Sequence, residues 1–437
     1  MGVKVCKFGG TSLADAAQIR KCQTIIQADA ERRFVVPSAP GKRHKSDQKI
    51  TDLLYLCHSH ASQGLAVDEV LKLIADRFHG IAADLGVDVD LAKQFEDIRR
   101  ELAAGATADY AASRGEYLNG LIIAALLDYT FIDPVEVIHF DTKGRFNADD
   151  TQIALSARLK ATKNAVIPGF FGSLPDGRVK TFSRGGSDIT GSIVARAAGA
   201  DVYENWTDVS GLLRTDPRIV ANPQPIDFLS YRELRELAYS GASVLHDEAV
   251  FPVRLAKIPV NIRNINEPDD PGTMIVPDDT PISRRGITGI AGRKDFTVIT
   301  VEKAMMNVEI GFGRRLLAAL EDHGVNLEHV PTGIDTMSVV VKDSEIEGKL
   351  DDVLKSIDAE CRPDSVEVLP EMALVATVGR GMAYTPGMAA TLFNALAAAD
   401  INVRMIDQGS SEINIIVGVD CHDFEKAVKA IYAAFVG

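Results

Sequence analysis

The chain has 437 residues, 46% of them hydrophobic, and a formal net charge of −14. That length exceeds what one core covers and predicts two or three domains, and the acidic balance, broken only by the KRHK run at Lys42 to Lys45, argues against nucleic acid or an anionic membrane as partner and for a small ligand. Five scattered cysteines without a CxxC pair fit reduced thiols of a cytoplasmic protein, the CHSH stretch at Cys57 to His60 reads as two faces of a helix rather than a metal corner, and no apolar run approaches the ~18 residues of a membrane span.

In chain order, Val3 to Phe8 reads as a short strand, KFGGTS (Lys7 to Ser12) as the glycine turn after it, and about Leu13 to Ala28 as an amphipathic helix. Phe34 to Pro37 is the next strand, ending in an SAPG turn. Strand, glycine loop, helix, strand opens an α/β sandwich, a mostly parallel sheet flanked by helices whose ligands gather at the carboxyl ends of the strands. An Ala- and Leu-rich region from about Ile50 to Tyr129, with turn signals at Gly80, Gly86 and Gly105, predicts a helical lobe over that end. Short apolar runs at Val135 to Phe140, Ala165 to Phe170 and Asp201 to Trp206 predict further strands. SRGGSD (Ser183 to Asp188) leads into a helix over Ile189 to Ala198, and NEPDDPG is a strong loop that closes the first domain, residues 1–275, before a linker at 276–292.

The tail carries an internal repeat. VNLEHVPTGIDTMSVVV from Val325 aligns without gaps on INVRMIDQGSSEINIIV from Ile401, so that Asn326 matches Asn402, Gly333 matches Gly409, Leu316 matches Leu392 and Leu320 matches Leu396. Each copy reads strand, loop, helix, strand, strand, helix. Two copies are too few for a solenoid and predict two ferredoxin-like βαββαβ modules, residues 293–368 and 369–437. Two such modules leave sheet edges open, which predicts pairing with a second chain, a homodimer being the simplest closed form, or a higher homo-oligomer.

The chemistry lies in the two glycine segments. Phosphoryl transfer needs cations and backbone N–H groups aimed at phosphate oxygens. Gly9 and Gly10 permit close backbone approach beside Lys7, although KFGG alone is equally a tight turn with a surface lysine. Arg184 offers a planar fork for a carboxylate or phosphate, flanked by Gly185 and Gly186, and Asp188 either orients Lys7, ligates Mg²⁺ or caps the following helix. No GxxxxGK[ST], no GxGxxG after the first strand and no HRD or DFG pair occurs. The two loops contain no histidine or cysteine to act as base or nucleophile; an acceptor that is itself a carboxylate needs none, and the product is then an acyl phosphate. Glu116 in SRGE is either a helix-surface glutamate or a buried partner for an ammonium, the latter making the acceptor an amino acid.

Taken in order, KFGGTS, SRGE, PGF with SRGGSD, WTDVSG with TDPR, ELAYSGASVLH and VPTGIDTMS resemble the aspartate kinases of the amino-acid kinase superfamily over nearly the whole chain. The resemblance implies an ATP- and Mg²⁺-dependent kinase acting on the β-carboxylate of L-aspartate, with paired ACT modules as its regulatory tail. It implies that Lys7 stabilises the transferring phosphoryl group, that Gly9, Gly10 and Thr11 line the phosphates, and that Ser12, Thr51, Glu116, Arg184, Gly185 and Ser187 surround aspartate. Thr207, Asp208 and Arg218 would form the nucleotide wall. A feedback amino acid, lysine or threonine, would sit at Met306, Gly311, Phe312 and Gly313 with Asn326, Leu327, Glu328, Asp335 and Thr336 across from them. Glu328 would meet its ammonium, or else is an exposed strand residue.

Three positions depart from the family pattern: VVPSAP for the commoner VVSA, Asp52 where asparagine is common, and Leu213 where many members carry tyrosine. Two rival readings remain on sequence grounds. One is another amino-acid kinase, acting on acetylglutamate, glutamate, uridylate or carbamate; the other is a catalytically silent amino-acid-binding regulator.

Overall fold

Val5, Cys6 and Phe8 are all fully buried, the pattern of a strand covered on both faces, and the strand that carries them, Lys4–Phe8 (β1), sits in the middle of a parallel sheet. The structure, a computed structural model, describes residues 2–183, 185–242, 245, 247–281 and 286–437. It divides into two units, Met1–Leu212 with Asp227–Tyr231 and Val244–Thr280, and Leu213–Ile226 with Arg232–Ser243 and Pro281–Gly437.

After β1 the chain runs through Ala16–Gln27 (α1), Arg32–Pro37 (β2) and four helices, Ile50–Ser62 (α2), Asp68–Leu85 (α3), Leu91–Ala103 (α4) and Ala108–Leu127 (α5). It continues with Thr130–Phe131 (β3), Ala148–Lys160 (α6), Ala165–Val166 (β4), the hairpin Phe171–Ser173 (β5) and Val179–Thr181 (β6), Gly186–Ala198 (α7) and Val202–Thr207 (β7). Phe228–Ser230 (β8), Tyr231–Tyr239 (α8), Phe251–Leu255 (α9), Val260–Asn264 (β9) and Thr273–Val276 (β10) follow. Eight strands form one sheet in the order β3-β4-β2-β1-β7-β9-β10-β8, parallel except for the β9–β10 pair. One apolar core joins β1, β2 and α1 to the four-helix lobe through Ile19, Ile26, Leu54, Ile74, Phe78 and Ile122.

Two local expectations fail for identifiable reasons. Gly80 does not break the lobe but lies inside α3, where open space around its α-carbon lets the helix continue; Gly86 and Gly105, at φ of 72° and 86°, do follow helix ends. The run Val135 to Phe140 is no strand, because Asp133 caps and Pro134 initiates a short 3₁₀ turn at Pro134–Glu136, and only His139 and Phe140 make isolated bridges.

The second unit comprises Gly289–Glu302 (β11), Phe312–Glu321 (α10), Thr336–Lys342 (β12), Asp343–Ile346 (α11), Leu350–Cys361 (α12) and Ser365–Val378 (β13), then Met388–Ala398 (α13), Met405–Asp407 (β14), Asn414–Asp420 (β15) and Phe424–Val436 (α14). Its strands make one antiparallel sheet, β12-β11-β13-β15-β14. The long strands β11 and β13 pair half with half. Val298–Glu302 pairs with Ser365–Leu369, whereas Gly289–Arg293 pairs with Leu374–Val378. Ile290 therefore shares a core with Leu392, Leu396, Val417 and Ile431, while Ile299 shares another with Leu316, Leu320 and Ile357. Residues 289–292, expected in a linker, are thus sheet residues of the second repeat, and α14 packs in that repeat's core through Phe424, Ala427, Val428 and Ile431. The second repeat thus closes an edge with a strand that precedes the first repeat in the chain, while the first is completed within its own stretch by Ser365–Leu369, and a gapless alignment of the two copies could not reveal the loan.

Candidate active site

Lys7 is the next-to-last residue of β1 and Asn205 stands opposite it in β7, a register that places the two side chains together. The Lys7 ammonium, 7% exposed, lies 2.6 Å from Asp188 Oδ1 and donates to Asn205 Oδ1 at 3.4 Å, and Asn205 Nδ2 donates to the same Asp188 oxygen at 2.8 Å. Asp188 comes from the first turn of α7. The cap of that helix is Gly185, in a left-handed conformation at φ 58°, so Asp188 is free to face the lysine instead of serving as the N-cap. An ion pair this sheltered fixes an ammonium at the carboxyl end of the central strand, where a transferring anion would need it.

Two loops meet above that lysine. Gly41 N–H donates to the Gly10 carbonyl at 2.7 Å, and a β-carbon on Gly41 would lie 2.4 Å from the Gly10 carbonyl carbon, so only glycine permits this approach. Behind the loops lies Glu116 of α5, 6% exposed, with Oε2 lacking any hydrogen-bond partner. Burial pushes its carboxyl up to about 8, and the backbone of Ala39 offsets this only in part. Two more unpartnered oxygens, Ser12 Oγ and Asn119 Oδ1, lie on residues that are fully buried, and Asn119 Nδ2 holds the Ser38 carbonyl at 2.7 Å. Buried polar atoms without partners are costly, and of these three Glu116 Oε2 belongs to a residue that lines the cleft, where a ligand would complete it.

A cleft of about 500 Å³ collects Lys7, Gly9, Gly10, Thr11, Thr51, Glu116, Asp188 and Thr207. Ser12 lies behind the glycine turn and Ser187 is buried in the first turn of α7. Arg184 lies outside the described residues. Asp208, bonded at Oδ1 by the Thr207 hydroxyl, is not among the residues lining the cleft, and Arg218 belongs to the second unit, exposed and paired with Asp216 at 2.6 Å. Asn205, Ser38, Lys42 and Lys49 also border the cleft and were not singled out from sequence. Each had a signal: Asn205 directly precedes WTDV, Ser38 opens SAPG, and the two lysines flank or belong to the basic run.

Comparison with known proteins follows this geometry closely. The sequence profile of the amino acid kinase family matches residues 2–264, and that of the ACT domain matches residues 375–435. Aspartokinase 3 of Bacillus subtilis is 39% identical over 453 residues, covering 99% of this chain and 98% of that one. The chain belongs to the aspartate kinases.

Among solved structures, the aspartate kinase of Clostridium acetobutylicum superposes with a TM-score of 0.92 at 53% identity over 100% of both chains. Escherichia coli aspartokinase III, crystallised in complex with aspartate and ADP, superposes with a TM-score of 0.74 at 26% identity over 99% of both. The same enzyme has been crystallised with lysine and aspartate, at a TM-score of 0.74 and 27% identity over 100% of both chains. The regulatory ACT region of this aspartate kinase is built differently from its cleft. Met306 and Phe312 are core residues, Gly311 caps α10 in a left-handed conformation at φ 81°, and Gly313 lies in that helix's first turn. Asp335 accepts the Met305 N–H at 3.0 Å, while Asn326, Leu327 and Thr336 are exposed. Glu328 is neither exposed nor waiting for a cation: its side chain, 7% exposed, pairs with Lys342 at 2.7 Å and is hydrogen-bonded by Tyr239. Beside it His329 meets Asp407 of β14 at 2.6 Å.

Proposed function

We propose that the enzyme transfers the γ-phosphoryl group of ATP to the β-carboxylate of L-aspartate, giving 4-phospho-L-aspartate and ADP. The observation that carries this is Lys7, fixed by Asp188 and Asn205 at the floor of a cleft that also holds the unpaired carboxyl of Glu116. The substrate carboxylate is already ionised and attacks the γ-phosphorus in line. The γ–β bridging bond breaks, and its electrons leave on ADP. Lys7 and the N–H groups of Gly10 and Thr11 take up the charge that spreads over the moving group, Gly9, whose own N–H is held by the Trp206 carbonyl at 3.1 Å, lines the phosphates, and Glu116 receives the α-ammonium of aspartate. Gly185, Ser187, Ser12 and Thr51 complete the substrate side, Arg184 takes its α-carboxylate, and Thr207, Asp208 and Arg218 serve the nucleotide.

Mg²⁺ fits this donor set as an ion brought by the nucleotide. It binds through phosphate oxygens, water and one or two carboxylates, and Asp188 is the carboxylate beside Lys7 that the cleft offers. Bound there, it would neutralise charge on the β- and γ-phosphates.

Feedback by lysine or threonine at the first ACT module is supported by the tandem repeat and by the complex of the Escherichia coli enzyme with lysine. A homodimer through these modules is supported by apolar side chains left in solvent there, Ile310 at 96%, Met305 at 65% and Ile334 at 72% exposed. The test is ADP release with Mg-ATP and saturating L-aspartate, repeated with lysine and with threonine. Turnover on aspartate that falls with one of them is expected; acceptance of acetylglutamate or glutamate in place of aspartate would overturn the assignment.

A further inference from the structure

The cleft has a wall that the reaction above does not use. Beyond Gly41 the chain makes an excursion, residues 42–49, before α2, and both Lys42 and Lys49 line the cleft. Both are exposed, and among the described residues neither has an ion pair or a side-chain hydrogen bond. Lys7, the third lysine of the cleft, has its charge held by Asp188.

The excursion is braced from beneath. Arg77 of α3, whose side chain is 6% exposed, donates to the carbonyl of Ala14 at 3.1 Å, to that of Gly41 and to that of Gln48 at 3.3 Å, and it pairs with Asp47 at 3.3 Å. Asp47 also takes the fork of Arg43 at 2.9 and 3.1 Å and accepts the Arg43 N–H at 3.0 Å. The Arg43 fork, helped by Arg77, holds the Asp47 carboxyl well below the usual carboxylate range. One buried guanidinium thus ties together the end of the first glycine turn, the second glycine loop and the far end of the excursion. The acid of the loop is taken up by two arginines and leaves Lys42 and Lys49 uncompensated.

The placement of Lys42 favours phosphate over the aspartate carboxylates. Gly41, the residue before Lys42, is hydrogen-bonded to Gly10, a residue assigned to the phosphates. Lys49 closes the same excursion directly before α2, whose first-turn N–H groups have no side-chain cap; Asp52 in that turn offsets part of the helix's positive end, so the charge at this side of the cleft comes from the lysine itself. We propose that Lys42 and Lys49 are polyphosphate-contacting cations of the kinase cleft and that Arg77 positions them.

This rests on the ATP reading above, and the test separates the two. In the full chain, Lys42→Met and Lys49→Met are each expected to raise KM for Mg-ATP and Ki for inorganic tripolyphosphate about three- to fivefold, the range of an exposed ion pair, and the double variant about tenfold or more. Adenosine binding and KM for aspartate stay within about twofold of the parent value, and the salt dependence of tripolyphosphate inhibition becomes shallower. Arg77→Met raises KM for Mg-ATP with little change in kcat, and Arg77→Lys, which keeps the charge but not the fork, recovers part of the loss. An unchanged tripolyphosphate Ki in the double variant, or a rise in KM for aspartate alone, overturns the proposal. If the parent chain binds tripolyphosphate through these lysines yet fails to phosphorylate aspartate, the kinase reading falls and the anion wall stands.

Discussion

The cleft around Lys7 and the charged cluster around Glu328 are both buried polar groups placed by an α/β fold, yet they differ in completion. In the cleft Glu116 Oε2 has no partner, nor do Ser12 Oγ and Asn119 Oδ1 in the fully buried residues behind it, and the Glu116 carboxyl is pushed up to about 8. In the regulatory unit Glu328 is satisfied by Lys342 and Tyr239, and its carboxyl is held below its usual value despite the opposing effect of burial. An unfinished polar set is paid for in stability and is explained by a ligand; a finished one holds its own elements together. The sequence showed two glutamates of similar promise, and burial with partner count separates them.

Four changes would break or sharpen this contrast, taken from the largest expected effect downward. Lys7→Ala should keep the fold but lower the thermal midpoint, because Asp188 loses its cation, and should lower kcat by about 10²- to 10³-fold, or ~2.7–4 kcal/mol, the scale for loss of one preorganised charge-stabilising donor. Near-parental turnover would remove Lys7 from the chemistry.

Glu116→Gln should raise KM for aspartate about tenfold or more through loss of a charge-assisted contact. The pH dependence carries a further sign. A carboxyl raised to about 8 is mostly protonated at pH 7, so the parent's KM for aspartate should fall as pH rises through 8, and the glutamine variant should lose that slope. The same raised value means the folded state holds a proton that the unfolded state has lost above the ordinary carboxylate range. Stability contributed by this group therefore declines between about pH 4.5 and 8, and Glu116→Gln should flatten the thermal midpoint over that interval. A parallel pH profile for parent and variant would place the titration elsewhere.

Glu328→Gln should cost about 1–3 kcal/mol of stability, because Lys342 and Tyr239 lose a charged partner, while leaving KM for aspartate without effector untouched. Calorimetry alongside kinetics separates these outcomes; a variant of unchanged stability that binds lysine more weakly would make Glu328 a ligand residue after all. The smallest effect is expected for Ile310→Asp. At 96% exposure the substitution should shift stability by no more than about 0.5 kcal/mol, yet it should weaken self-association measured by sedimentation if the first ACT module forms the dimer surface. An unaltered sedimentation profile would direct the search for the interface to another face.

Much of the site was legible because phosphate chemistry uses few residue types at fixed local spacing. KFGGTS placed Lys7, Gly9 and Gly10 on one turn, and SRGE placed an acid on a helix. Asn205 adjoins the WTDV motif, but its role was not legible, because only the β1–β7 register brings it beside Lys7. Arg77 and Asp47 were hidden for the same reason, since a bond from α3 to the carbonyls of Ala14, Gly41 and Gln48 leaves no spacing to read. The loan of the first half of β11 to the second repeat escaped a repeat analysis that compares like with like.

By itself the sequence determined the two opening strands, the glycine loop between them, the helical lobe and the repeated tail, because apolar periodicity and glycine conformations act over a few residues; the run Val135 to Phe140 it misread as a strand. The tertiary structure decided which side chains share a charge. Whether Asp188 caps a helix or holds a lysine, and whether Glu116 or Glu328 is left unpaired, depends on register and burial between segments far apart in the chain, and those are set only when the strands pair and the core closes.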